Sequence, residues 1–272
     1  MQSFSLAPQE ILVSLWRNRY LIKKSIQREV VGRYRGSALG MLWSFFHPLF
    51  MLAVYTFVFS VVFKARWQAG SDSKTEFALI LFAGLMVFNL FADCINRAPS
   101  LILSSVNYVK KVVYPLEILP LVSIGGALFH FVISLSVWLV AYLVFFGLPP
   151  LTIVLLPIVL LPLLLFTAGM SWWLASMGVY LRDVSQIINL VTTALLFLSP
   201  IFYASASIPE RFRMLMQFNP LTPVIEQARG VLIWNQLPDP VTLISCYLVS
   251  ILVACLGFAW FQKTRKGFAD VL

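Results

Sequence analysis

Charge is scarce in this chain. Of its 272 residues only 11% are charged and 60% are hydrophobic, against about 25% and 45–50% in soluble domains, which excludes a water-soluble globule. Cysteine is nearly absent. Cys94, Cys246 and Cys255 lie scattered in or beside apolar segments with no CxxC spacing, so neither a disulfide framework nor a zinc site is expected and the thiols are read as core fillers. Histidine is rarer still, and His47 and His130 each lack a carboxylate or thiol at ligand spacing. Both are read as packing residues, and no metal site is expected. No Gly-x-x-x-x-Gly-Lys-Ser/Thr occurs, so the chain has no phosphate-cradling loop and cannot hydrolyse ATP unaided. Asp93, Glu117 and Asp183 are isolated carboxylates. They make no acid–base cluster, and no catalytic residue is assigned.

What is abundant is long apolar sequence. A hydrocarbon layer about 30 Å thick takes about 20 apolar helical residues per crossing. Six stretches qualify, at 41–63, 77–97, 117–146, 151–181, 186–203 and 241–261, the fifth being short. The fold class is therefore an all-α polytopic membrane protein with six transmembrane helices. The first apolar stretch begins only after some forty residues and is long enough to span, so no cleavable signal peptide is expected. Fourteen of the twenty lysines and arginines fall on the side holding residues 1–40, the second–third and fourth–fifth loops and the tail, which places both termini in the cytoplasm. The same excess, a net charge of +9, suits anionic headgroups or a phosphate-bearing substrate. No nucleic-acid partner is expected.

Residues 1–40 read as a cytoplasmic interface segment and 41–272 as the six-helix domain. Within 8–31, Ile11, Leu15, Ile22, Ile26 and Val30 share one sector of a helical wheel, and Arg17, Lys24, Arg28 and Arg35 lie nearly opposite. That pattern predicts an amphipathic helix on the membrane face. Gly32 is expected to end or bend it, with Gly36 and Gly40 allowing close packing at the turn into the first crossing. There Trp43, Phe46, Phe50 and Phe57 share a face about 60° wide, and Pro48 should kink the helix. That stripe is either helix packing and lipid contact or the lining of a path along which sugar rings slide.

Other segments are shorter. The stretch 64–76 is a polar external loop. Residues 99–113 read as a short cytoplasmic helix ended at Tyr114–Pro115. The fourth crossing is long enough to need tilting or kinks at Pro157 and Pro162. Beyond the fifth, Ser207-x-x-Glu210 with Pro209 makes a capping box, with Ile208, Phe212, Leu215 and Met216 as the apolar face. Thr222 is the expected cap, with Pro223 at the first position, of a second helix. The pair is read as two re-entrant external helices that do not cross. Asp93 stands four residues before Arg97, so the two are expected to pair along one helix face. The basic stripe over 17–35 serves either as topogenic and headgroup-contacting charge or as a site for substrate phosphates.

Five ordered motifs carry a resemblance: "REVVGRYRGSALGMLWSFFHPL" at 28–49, "YPLEILPL" at 114–121, "GVYLRDVSQI" at 178–187, "SPIFY" at 199–203 and "NPLTPVIEQAR" at 219–229. They resemble the ABC-2 type exporter permeases, in the branch that exports lipid-linked polysaccharides such as O-antigen and teichoic acid. The resemblance implies a homodimer in the bacterial inner membrane around a central conduit, docked to two copies of a separate ATPase that carries the ATP and magnesium, with no cofactor on this chain. It implies that Arg28, Arg33, Tyr34 and Arg35 meet the pyrophosphate of an undecaprenyl-linked glycan, and that Gly32, Gly36 and Gly40 form a pivot. Trp43, Phe46, Phe50 and Phe57 would begin the sugar path. Asn107, Tyr108, Lys110, Arg182 and Asp183 would touch the ATPase, and Ile208, Phe212, Met216, Pro220 and Pro223 would belong to an external gate. A capsule exporter with another lipid anchor and a membrane-embedded glycan-modifying transferase are the alternatives.

Overall fold

The computed structural model describes residues 9–58, 74–110, 114–205, 209–211, 216 and 219–272. Most of the external loop 64–76, and Ser207, Ile208, Phe212 and Leu215 of the first re-entrant helix, lie outside the described residues. Among those described the structure is helical, with α1 Gln9–Arg17, α2 Arg19–Tyr34, α3 Trp43–Tyr55, α4 Lys74–Arg97, α5 Val106–Lys110, α6 Leu119–Phe146, α7 Leu156–Tyr180, α8 Val184–Leu198, α9 Leu221–Leu232, α10 Pro240–Thr264 and α11 Phe268–Val271.

Five helical stretches are long and apolar enough to cross a membrane: 40–58, 75–100, 116–146, 151–180 and 240–271. The fifth expected crossing is α8, whose 15 residues reach only about 22 Å at 1.5 Å per residue. α4 is the hub. From Phe77 to Ile95 it is buried at nearly every position, because its sequence is apolar on every face but one narrow stripe and other helices pack around it. α7 and α10 make the closest helix pair. A Cβ on Gly169 would stand 2.4 Å from the Val253 carbonyl oxygen, and one on Gly257 would stand 2.1 Å from that of Gly169. Only glycine admits such an approach. Cys94 is buried, while Cys246 and Cys255 are half-buried.

Several local expectations need correction. The N-terminal helix breaks at Asn18, whose side chain donates back to the Ser14 carbonyl. It then runs through Gly32 to Tyr34, and the chain turns instead at Gly36 and Gly40, where φ is +87° and +52°. Its apolar sector packs on protein rather than on lipid: Ile26 fills the space left by Gly125 on α6, and Val30 is buried. Residues 98–110 are not one helix but two 3₁₀ turns followed by α5. Pro157 sits in the first turn of α7, where its missing N–H costs nothing, and only Pro162 is interior. Thr222 does not cap α9, because the helix begins earlier than expected: Pro220 stands at its N-cap position, and Asn219 just before it accepts from the Leu221 amide with its Oδ1 at 3.0 Å.

The bundle has two ends. At one end lie α1, α2, the segment 98–110, the start of α6, the α7–α8 turn and α11. Both described ends of the chain meet there, since Glu117 accepts from Ser14 at 3.0 Å and from Arg265 at 2.6 Å. At the other end lie the start of α4, the start of α7 and α9, where the Thr152 hydroxyl donates to the Val231 carbonyl at 2.7 Å.

Candidate functional site

The 28–49 motif folds into the wall of a polar cleft of about 550 Å³. Arg33 and Tyr34 come from the end of α2, Trp43, Ser44 and His47 from the first turns of α3, and His130 and Ser134 from α6. α4 presents Asn89, Asp93 and Asn96, a polar stripe at helical spacing on an otherwise apolar helix. Arg33 donates to Asp93 at 2.9 Å, with each side chain about one-third exposed. Tyr34 Oη lies 3.3 Å from His130 Nδ1. The Arg35 side chain meets no partner among the described residues and is exposed. A guanidinium has five donors, so Arg33 can hold Asp93 and still offer N–H groups to an anion in the cleft.

The expected Asp93–Arg97 pair does not form. Asp93 takes Arg33, and Arg97 Nη1 lies 2.6 Å from Glu29 Oε1. Both ions on α4 are drawn across to α2, because that helix packs beside them and offers a cation and an anion one turn apart. Arg28 points elsewhere. Its guanidinium donates to the Tyr108 hydroxyl and lies over the ring, and Tyr108 stacks on Tyr114 with centroids 4.4 Å apart. Arg28 and Tyr108, given separate roles by the resemblance, are thus in contact.

The aromatic stripe is divided along α3. Trp43 lines the polar cleft. Phe57 lines a second groove of about 750 Å³ with Phe45, Leu49, Leu79, Val140 and Phe145. Phe46 and Phe50 are exposed between these levels. The groove runs along the same three helices, α3, α4 and α6, so a polar level and an apolar level follow one another on one wall.

Asn107 and Lys110 are exposed at the cleft end of the bundle, as are Arg182 and Asp183 in the α7–α8 turn. The two segments are neighbours: a Cβ on Gly178 would stand 2.0 Å from the Pro99 carbonyl oxygen. At the other end Met216 is buried, Pro220 is exposed beside the start of α9, and Pro223 lies in its first turn.

Two residues escaped sequence reading. Arg229 looks like one more external cation, yet it is fully buried and donates to the carbonyls of Ile80, Pro200 and Ile201. Burial pushes its pKa down to about 10, so it remains a cation at neutral pH. Its spacing was the signal, since it falls four residues after Ile225 on the face that Leu221, Ile225, Ala228 and Leu232 bury. Glu117 is the other, buried against Ser14 and Arg265. Its partners lie 103 and 148 residues away, and nothing local announces them.

A family model described as ABC-2 type transporter matches residues 20–233. The O-antigen export system permease protein RfbA of Myxococcus xanthus is 28% identical over 258 residues, covering 94% of this chain and 96% of that protein. A protein of the same name from Klebsiella pneumoniae is 27% identical over 242 residues, covering 88% and 90%. The polysialic acid transport protein KpsM of Escherichia coli is more distant, at 21% over 249 residues, covering 88% and 92%. With its apolar helices able to cross a bilayer and a match over most of its length, this integral membrane protein belongs to the ABC-2 type transporter family.

Proposed function

We propose that this chain is the permease subunit of an ATP-driven exporter that moves an undecaprenyl-pyrophosphate-linked, O-antigen-like polysaccharide out of the cytoplasm across the inner membrane. It acts as a homodimer of six-crossing subunits, α8 and the turn after it making the short fifth crossing. Two copies of a separate ATPase dock on Asn107, Tyr108, Lys110, Arg182 and Asp183 and supply the nucleotide chemistry. The observation that carries the reading is the two-level wall on α3, α4 and α6. A cleft with Arg33, Tyr34 and His130, next in sequence to the exposed Arg35, suits a phosphate head, and an apolar groove follows it. Arginine is the side chain that fits phosphate oxygens two at a time. The names of the 27–28% identical relatives support the O-antigen class.

The likeness to KpsM supports one alternative, a capsule-type glycan on another lipid anchor. Reconstitution separates them. Vesicles holding the permease and its ATPase should move an undecaprenyl-pyrophosphate glycan with ATP and leave a glycan on a phosphatidyl anchor behind. Movement of the glycan in vesicles without the ATPase, driven by an ion gradient, would overturn the reading.

A further inference from the structure

We propose that Arg229 is the positioning residue of a clasp that keeps the far end of the bundle shut, by holding the turn after α8 against α4 and α9. Where α8 stops, its last carbonyls lose their helical partners, and Pro200 has no N–H with which to rebuild them. In an apolar surrounding such carbonyls must find donors. The Tyr203 hydroxyl, from the turn itself, donates to the Phe197 carbonyl at 2.8 Å, and two side chains from α9 and its approach supply further donors. Asn219 Nδ2 donates to Ser199 Oγ at 2.9 Å and reaches the Leu198 carbonyl at 3.4 Å. Arg229 Nη2 donates to the Ile201 carbonyl at 2.8 Å, and its Nη1 donates to that of Pro200. These groups of residues 198–201 are thus held by α9 and by Asn219 just before it.

The third arm fixes the clasp to the hub. Arg229 Nε donates to the Ile80 carbonyl at 3.1 Å, and Ile80 stands one helical turn before Gly84 on α4. A Cβ on Gly84 would lie 2.5 Å from Arg229 Nη2, so the missing side chain is the notch that bares this carbonyl. Glu226 lies 3.4 Å from Nη1, at the edge of contact. The fastening is therefore made by carbonyls more than by an ion pair.

α8 has few other fastenings. Ile187, Leu190, Val191, Phe197 and Leu198 are exposed, and among the described residues its side-chain tie to α4 is Thr192 Oγ1 to Asn96 Oδ1 at 2.7 Å, beside the polar cleft. The helix is pinned at the cleft and at the clasp, with an open face between. Releasing the Arg229 end frees the turn after α8, which on the exporter reading closes the far end of the path. The inference rests on the exporter reading for its direction, but the test below needs neither glycan nor ATPase, so the two fail separately.

The full chain is reconstituted in vesicles loaded with a small fluorescent anion, and dye loss is followed without nucleotide. Arg229→Lys keeps the charge but loses the planar fork that reaches all three carbonyls, and Gly84→Ala drives the guanidinium from its notch. Each should leak faster than wild type by on the order of tenfold or more. Glu226→Gln should stay tight. In the Arg229→Lys background, Gly84→Ala should add nothing, because the atom it displaces is gone. Arg229→Lys and Gly84→Ala vesicles as tight as wild type at equal protein content would overturn the clasp. So would a leak from Glu226→Gln that matched Arg229→Lys. Failure of both Arg229→Lys and Gly84→Ala to accumulate in the membrane would assign Arg229 to folding alone and overturn it too.

Discussion

The guanidinium of Arg28 lies over the ring of Tyr108, 5.7 Å from its centroid, and donates to its hydroxyl. The two residues are 80 positions apart and link α2, which borders the polar cleft, to α5, where an ATPase would dock. Ser25 with Tyr114 and Glu29 with Arg97 make parallel ties between α2 and the segment around it. These contacts join α2 to α5 and the segment beside it. A double-mutant cycle with Arg28→Gln and Tyr108→Leu should return a coupling of about 0.5–1 kcal/mol in thermal unfolding, since the pair is exposed. Both single variants should also weaken stimulation of the ATPase by glycan. Full stimulation in Tyr108→Leu would show that the link carries nothing.

Arg33 and Arg35 should separate under substitution. Arg33 is held by Asp93 at 2.9 Å, and Arg35 has no partner among the described residues. A part-exposed pair is worth less than about 1 kcal/mol, so Arg33→Gln should lower stability slightly, while Arg35→Gln should leave it within about 0.5 kcal/mol. Both should cut glycan flux. Wild-type flux in the Arg33→Gln/Arg35→Gln double variant would remove the phosphate role from this doorway.

Much of this arrangement was legible in the sequence. Apolar run length gave six spans, five of which match long apolar helices to within a few residues at most ends, because the bilayer sets the length. The wheel of Ile22, Ile26 and Val30 correctly marked one packing face. It did not say whether lipid or α6 would cover it, since both reward the same periodicity. Asp93 and Arg97 fit a local pair at i, i+4, yet each found a closer partner on α2. Local spacing sets which side chains are able to meet, and tertiary packing chooses among them. The burial of Arg229 is hidden from the sequence for a similar reason: a positive charge reads as solvent-facing unless the carbonyls that would take its hydrogen bonds are known.

Glycines offer a test of the pivot. At Gly32 a Cβ would meet nothing within 4 Å, and the helix passes straight through, so Gly32→Ala should stabilise the chain by about 0.5–1 kcal/mol. Gly36 has φ +87°, and Gly36→Ala should cost about 1–2 kcal/mol. Thermal unfolding of the purified chain distinguishes them. A marked fall in export with Gly32→Ala, at raised stability, would show that α2 does bend there during the cycle.

Gly178→Ala should act at a distance from any charge. Its Cβ would fall 2.0 Å from the Pro99 carbonyl oxygen, a main-chain atom that cannot swing aside. The segment 98–110 must shift, at about 1–3 kcal/mol, and it carries Asn107, Tyr108 and Lys110. Pull-down of the ATPase should weaken while α7 stays packed on α10. Unchanged ATPase capture would mean that docking does not depend on this segment.

Glu117 joins the two ends of the chain. Its Oε1 accepts from Ser14 on α1 and its Oε2 from Arg265 beyond α10, with both members of the ion pair nearly buried, while its main-chain carbonyl accepts from Trp172 Nε1 at 2.8 Å. Removing one partner of such a pair leaves an uncompensated charge, which costs about 3–5 kcal/mol, whereas removing both together costs far less. Arg265→Met should therefore lower the unfolding temperature sharply, and Glu117→Gln should recover most of that loss in the Arg265→Met background. Limited proteolysis of Arg265→Met should also expose the N-terminal helices, because Glu117 is the tie between them and the tail. Equal unfolding of the single and double variants would mean that the loss in Arg265→Met came from packing of the arginine stem, and the carboxylate would then have no part in holding the two ends together.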